Sequence, residues 1–273
     1  RCKNDNASPR GRVLRAATAG TTRAMHPAKQ DTSTKETENM QPSTNPTVRI
    51  DASDHLADLA TRHAGASRVF HRYGLDFCCH GAISLKDACA KKGLDLEQVL
   101  RELRAEVDRD GDRDPAPSGW QDEPLPELID FIVAQYHNGH RQEIVRLVEM
   151  AQRVEAVHGD KASCPNGLAA LVATMREELE QHMQKEEQIL FPMLRAGRGA
   201  DANAPIRVME AEHEDHAANL ERVRALTKDF VPPEEACGTW RALYLGLADF
   251  EMELMRHVHL ENHVLFPRAL RGA

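Results

Sequence analysis

The chain has 273 residues, 41% of them hydrophobic and 29% charged, enough to bury one or two ordinary cores. No run reaches the roughly 18 to 20 apolar residues that cross a bilayer, and an aromatic fraction of 4% with little β-branched clustering speaks against a large sheet; an all-α protein with no membrane partner is expected. Residues 1–49 hold 9 Lys/Arg against 4 Asp/Glu, leaving 26 against 39 for the rest, and a body carrying −13 is a poor binder of nucleic acid.

Residues 1–48 are rich in Ser, Thr, Asn, Pro and Arg without apolar periodicity, and read as a disordered leader or an over-extended reading frame with Met40 as the start. A transit peptide fits the Arg and Thr content, but Asp31, Glu36 and Glu38 count against it. Residues 49–112 form a small helical domain. DHLADLATRH has helical apolar spacing, Gly65 and Gly74 punctuate it, and LDLEQVLRELRAEV follows with Asp95 as N-cap. The polar, Pro/Gly-marked stretch at 108–120 is a linker. Six cysteines, with only Cys78 and Cys79 adjacent and none in paired zinc spacing, do not make a disulfide framework and fit a reducing cytoplasm.

Residues 113–273 read as four long helices: about Leu125 to Val157, about Gly167 to Leu194, from near Pro205 to before Pro232 and Pro233, and about Glu234 to Leu270. Stripes such as LIDFIVAQY and LYLGLADFEMEL, with short connections, predict an antiparallel four-helix bundle. Pro192 and Pro267 fall near helix ends, where they would break or terminate the last turns.

HMQKEEQILFP (182–192) returns as HVHLENHVLFP (257–267). Positions i and i+4 of a helix share a face about 6 Å apart, so His182 with Glu186, and His257 with Glu261, each present an imidazole and a carboxylate in one direction. The other two helices carry His137 and His213 at matching distances upstream. One HxxxE pair alone is ordinarily a surface pair, but two copies with matched upstream histidines place four imidazoles and two carboxylates in one interior. That set is costly without a cation and suits iron, manganese, zinc or copper. If both carboxylates bridge, each of two ions receives two histidines and two carboxylate oxygens, a stoichiometry favouring a non-haem di-iron centre. His158 lies about 30 Å along the helix from His137 and cannot reach it. His259 and His263 point away, while His140 and His216 are either hydrogen-bond partners of the ligands or exposed.

With these residues in view, about Leu125 to Leu270 resembles a hemerythrin-type cation-binding domain, and GLDFCCHGAISLKDAC (74–89) resembles the N-terminal domain of the iron-sulfur cluster repair di-iron proteins, the RIC or ScdA/YtfE group. The resemblance implies a cytoplasmic homodimer that restores iron-sulfur clusters damaged by oxidative or nitrosative stress, its partners being the damaged proteins, and acts as an iron donor rather than a turnover catalyst. It implies two iron ions per chain, oxo- or hydroxo-bridged, on His137, His182, Glu186, His213, His257 and Glu261. Cys78 and Cys79 match the family's paired cysteines; read alone they are also two ordinary thiols at a helix boundary. His80 departs from the glycine common after them. Cys89, Cys164 and Cys237 have no matching partner and read as packing residues. Glu178, one turn before His182, and Glu212, next to His213, match acids of the family and are a possible iron path, or else surface carboxylates. An oxygen- or nitric oxide-binding sensor, and a di-iron nitric oxide reductase or peroxidase, remain alternatives built on the same bundle.

Overall fold

The computed structural model describes residues 49–109 and 117–272; the expected leader and residues 110–116 of the expected linker lie outside them. The short apolar repeats at the N-terminal end form α1 (Leu56–Arg62), α2 (Ala64–Arg72), α3 (Leu85–Lys92) and α4 (Leu96–Arg109). Asp95 Oδ1 accepts the N–H groups of Glu97 and Gln98 at 2.9 and 3.3 Å, the side-chain capping that its position predicts. Gly74 closes α2 with φ 61°, a left-handed conformation that favours glycine. Gly65 does not punctuate the region: it is buried inside α2, and the break falls at His63, whose extended backbone (φ −136°) separates α1 from α2.

The bundle follows as four helical stretches. The first joins α5 (Leu125–Phe131), a π turn (Ile132–His137) and α6 (Asn138–His158). The second joins α7 (Leu168–Lys185), a π turn (Glu186–Leu190) and α8 (Phe191–Arg195). The third is α9 (Asn203–Thr227), and the fourth joins α10 (Gly238–Leu260), a π turn (Glu261–Leu265) and α11 (Phe266–Arg271). The fourth starts at Gly238 rather than Glu234, because residues 234–235 form a turn after the two prolines.

Pro192 and Pro267 do not end their helices. Each is the second residue of a further helical turn, directly after a π turn. A proline lacks the N–H and crowds the carbonyl four residues back; the wider preceding turn relieves that conflict and the chain continues.

α6 packs on α7 and α10, and α9 packs on the same two. One apolar cluster takes Ile144, Met175, Leu220 and Trp240. The other takes Leu128, Leu190, Ile206 and Phe266. Each stretch passes from one cluster to the other in alternating direction, and between the clusters each contributes its histidines. The bundle core is thus two apolar layers with a polar layer between.

The N-terminal helices share the first of these clusters: Phe70, Leu85 and Leu103 pack in it together with the bundle residues. A buried carboxylate fixes the junction. Glu251 of α10 accepts from Arg224 at 2.7 and 2.6 Å and pairs with His71 Nε2 of α2 at 2.8 Å. The end of the expected linker is ordered on the opposite layer as a 3₁₀ turn (Pro117–Gln121). Its Trp120 ring lies 4.8 Å from Phe131, and Arg268 donates to the Trp120 carbonyl at 2.5 Å.

Candidate metal centre

All six expected ligands are buried, with at most 1% exposure. They converge as two four-residue groups, His137/Glu186/His257/Glu261 and His182/Glu186/His213/Glu261, the donor atoms of each within 4.8 Å of one another. Both carboxylates belong to both groups. Glu186 Oε2 stands 3.4 Å from the Nε2 atoms of His137 and of His182. Glu261 reaches His257 Nε2 at 3.1 Å through one oxygen and His213 Nε2 at 3.2 Å through the other. The π turns at Glu186 and Glu261 begin on these carboxylates, a common use of a π bulge at a functional site.

Outer contacts settle which imidazole nitrogens face inward. His137 Nδ1 lies 2.7 Å from Glu187, His182 Nδ1 3.0 Å from Glu212, and His213 Nδ1 2.9 Å from Asn262 Oδ1. These oxygens only accept, so each Nδ1 carries the proton and each Nε2 turns a lone pair inward. The inward pairs His137/His257 and His182/His213 bring their Nε2 atoms to 3.2 Å. Two nitrogens at about 2.1 Å from one first-row ion lie about 3.0 to 3.4 Å apart. Both Glu186 oxygens and one Glu261 oxygen lack a hydrogen-bond partner.

Acceptors therefore converge on acceptors, and a cation is the species that satisfies them. Imidazole with carboxylate suits transition ions over calcium or magnesium. The electrostatics agree. Burial, then repulsion from Glu261, pushes the Glu186 carboxyl well above the usual range, whereas Glu261 is shifted well below it, the neighbouring His257 and His213 outweighing its own burial.

The supporting residues follow the internal repeat. Glu187 and Asn262 each come directly after a shared carboxylate, and each holds a histidine of another helix. The sequence carries that signal, a polar residue directly after each HxxxE. Arg141 orients Glu187 at 2.9 Å, and Lys185 pairs with Glu212. His182, ahead of Lys185 and with burial opposing, holds the Glu212 carboxyl down to about 2. The repeat breaks at one place. Glu212 precedes His213, but Tyr136 precedes His137, and its ring stacks on His257 at 5.3 Å while His257 Nδ1 has no hydrogen-bond partner.

Glu178 is exposed and accepts from Asn219 at 2.7 Å. His140 and His216 are buried rather than exposed, and neither Nε2 has a hydrogen-bond partner. Burial, and then the imidazoles of His182 and His213, hold His216 down to about 3, and burial with His257 and His137 holds His140 well below its ordinary value. His158 stands beside Trp240 and Cys237, in the layer away from the centre. Cys89 and Cys164 are buried.

His259 and His263 point away from the centre, as expected, and grip the cysteine loop. His259 Nδ1 lies 3.2 Å from the Phe77 carbonyl and His263 Nε2 2.9 Å from the Cys78 carbonyl. Asn262 Nδ2 donates to the same Cys78 carbonyl at 3.1 Å. One π turn thus places Glu261 in the centre and uses the next two residues to hold the Cys78–Cys79 loop against it. Cys79 Sγ lies 3.6 Å from the His213 carbonyl. Gly81 lets the loop approach α1, since a Cβ there would sit 2.7 Å from Ala57 Cβ. The Cys78 thiol is raised well above its ordinary value, first by Cys79 and then by burial. Asn262→Leu should release both His213 Nδ1 and the loop, lowering metal affinity about 10- to 100-fold with helicity unchanged. Competition against a chelator measures this; parent affinity would show that the carboxamide supports nothing.

The fold and the centre together define a hemerythrin-type cation-binding protein. Residues 128–269 match the hemerythrin HHE cation binding domain, and residues 52–107 match ScdA_N, a domain of unknown function (DUF542). The iron-sulfur cluster repair protein YtfE of Yersinia pseudotuberculosis serotype O:1b (strain IP 31758) is 49% identical over 218 residues, 80% of this chain and 96% of that protein. Its counterpart in Musicola paradisiaca (strain Ech703) is 47% identical over 220 residues, with the same coverage. The chain belongs to this iron-sulfur cluster repair family, whose bundle is of the non-haem iron type.

Proposed function

We propose that the chain repairs iron-sulfur clusters damaged by oxidative or nitrosative stress by donating iron held at the buried His/Glu centre. The observation that carries this reading is the pair of four-donor groups sharing Glu186 and Glu261, in a chain whose relatives are named for that repair. His137, His182, Glu186, His213, His257 and Glu261 would hold two irons, oxo- or hydroxo-bridged. Bound there, iron supplies a store of ferrous ion and one-electron chemistry. Glu187, Glu212 and Asn262 keep three imidazoles in the ligating tautomer, and the two apolar layers exclude bulk water. In this reading the protein is a cytoplasmic homodimer, its partners are damaged iron-sulfur proteins, and Cys78 and Cys79 take part in the transfer.

Purified protein should carry about two irons per chain and rebuild a cluster in an apo-ferredoxin. A content near one, zinc from iron-replete cells, or oxygen-adduct formation or nitric oxide turnover without transfer would overturn the reading. Replacing Cys78 and Cys79 by serine should leave iron content intact, since the thiols lie outside the His/Glu groups, yet lower transfer severalfold. Parent-level transfer would make the thiols bystanders.

Glu178 and Glu212 serve in this reading as an outward path for ferrous ion beside His182. Glu212 has the added task of orienting that histidine. Glu178→Leu isolates the path from the ligand support: it should load normally and release iron to a chelator more slowly after reduction. Release at the parent rate would reduce Glu178 to a surface acid.

A further inference from the structure

Outside the His/Glu centre, a second convergence of donors lies in the loop between α2 and α3. The Sγ atoms of Cys78 and Cys79 are 3.8 Å apart, and Cys78 Sγ is 3.3 Å from Asp76 Oδ1. All three ligating atoms lie within 4.8 Å of one another. We propose that Asp76, Cys78 and Cys79 form a separate site for a single thiophilic divalent cation of the ferrous, cobaltous or zinc kind.

The spacing is that of a chelate. Two thiolate sulfurs at about 2.3 Å from one tetrahedral ion lie about 3.8 Å apart, and a carboxylate oxygen at about 2.1 Å from that ion lies about 3.6 Å from each sulfur. A disulfide needs about 2.05 Å between sulfurs and strains a pair of adjacent cysteines, so the loop is arranged for chelation rather than for a bond between them. Thiolate donors also select softer ions than the imidazole and carboxylate set of the bundle.

The loop is held in this form from two sides. Asp76 Oδ1 accepts the N–H groups of Cys78 and Cys79 at 3.1 and 2.9 Å, and His80 Nδ1 lies 2.6 Å from Asp76 Oδ2. From the bundle, Asn262 and His263 fix the Cys78 carbonyl. Asp76 pairs with His80, whose side chain is 62% exposed and can turn to donate its nitrogen as a fourth ligand. His80 thus gives the departure from the family's glycine a chemical purpose. A cavity of about 460 Å³ opens on Asp76, Cys78 and His80, so an ion can enter without disturbing the bundle.

Binding as such is independent of the repair reading; only its use as a way station for transferred iron rests on that reading. The test uses the full chain with its thiols reduced and its iron loaded, titrated anaerobically with cobaltous ion. One further equivalent should bind, with thiolate-to-cobalt charge-transfer absorption in the near ultraviolet and with iron content unchanged. Asp76→Asn keeps the acceptor for the two backbone N–H groups and should weaken cobalt about tenfold or more, while Cys78→Ser and Cys79→Ser should each abolish or markedly reduce the absorption. Absence of the absorption in the parent overturns the proposal, as does absorption that survives both cysteine variants; full affinity in Asp76→Asn removes the carboxylate and with it the three-donor site. Cobalt binding without iron transfer would leave this site standing and sink the repair reading. Transfer without cobalt binding would do the reverse.

Discussion

Replacing Glu186 by leucine should abolish iron loading at both positions and yet make the metal-free protein more resistant to heat. The carboxylate is shared by both four-donor groups, so its removal leaves each with two imidazoles and one carboxylate. Without metal, however, Glu186 is a fully buried group whose two oxygens have no hydrogen-bond partner. An unsatisfied buried polar group costs about 1 to 3 kcal/mol, and a hydrophobic residue of similar volume is often neutral or stabilising in its place. At about 2 to 4 °C per kcal/mol for a chain of this size, the metal-free variant should melt roughly 2 to 12 °C above the metal-free parent. Calorimetry of both stripped proteins, with iron analysis of the loaded ones, reads the two effects. A stripped variant that melts well below the parent would show that Glu186 holds the bundle rather than the metal.

The metal-free protein should also unfold in mild acid. Burial holds His216 and His259 down to about 3 and His257 to about 4. In the unfolded chain each returns to about 6.5. Between those values the unfolded state binds protons that the folded state refuses, so stability falls as pH drops through the window. Glu186 acts in the opposite sense. Raised above 4.5, it takes up a proton on folding as pH falls and offsets one of the three histidines.

These four groups give a net excess of about two protons in the unfolded state, roughly 2.7 kcal/mol per pH unit, and His140, also held well below its ordinary value, adds to that slope. Between about pH 6.5 and 4 that removes roughly 7 kcal/mol, as much as the whole stability of a domain at the lower end of the ordinary range of about 5 to 15 kcal/mol. Urea unfolding of stripped protein at several pH values should give that slope, and His259→Gln, outside the ligand set, should lower it by about one proton. Stability that stays flat from pH 6.5 to 5 would refute the burial argument. Iron bound to His257 competes with its proton, so the loaded protein should keep its stability further into acid.

The sequence by itself determined what local geometry controls. Helical period and the fixed i, i+4 spacing put His182 beside Glu186 and His257 beside Glu261 before any packing is known, because one helix holds both partners. The repeat then supplied His137 and His213, and the apolar stripes required those histidines to share an interior. Asp95 capped its helix as read, since a cap concerns only neighbouring residues.

The tertiary structure decided everything that depends on how helices cross. The π turns have no apolar signature of their own; the nearest signal was a proline six residues after each carboxylate, which reads locally as a helix stop. The Nδ1 partners come from other helices than their histidines, so the half-buried Glu187 and Asn262 acquire their role only when the bundle brings those helices together. His140 and His216 could be placed only by burial, which also sets their charge by withdrawing water from the imidazole. The cysteine loop, distant in sequence from the bundle, lies on the His213 carbonyl because Asn262 and His263 hold it there. Chain periodicity fixes which side of a helix a residue occupies; what stands opposite, and hence which proton or cation it can hold, is fixed only when separate helices exclude water together.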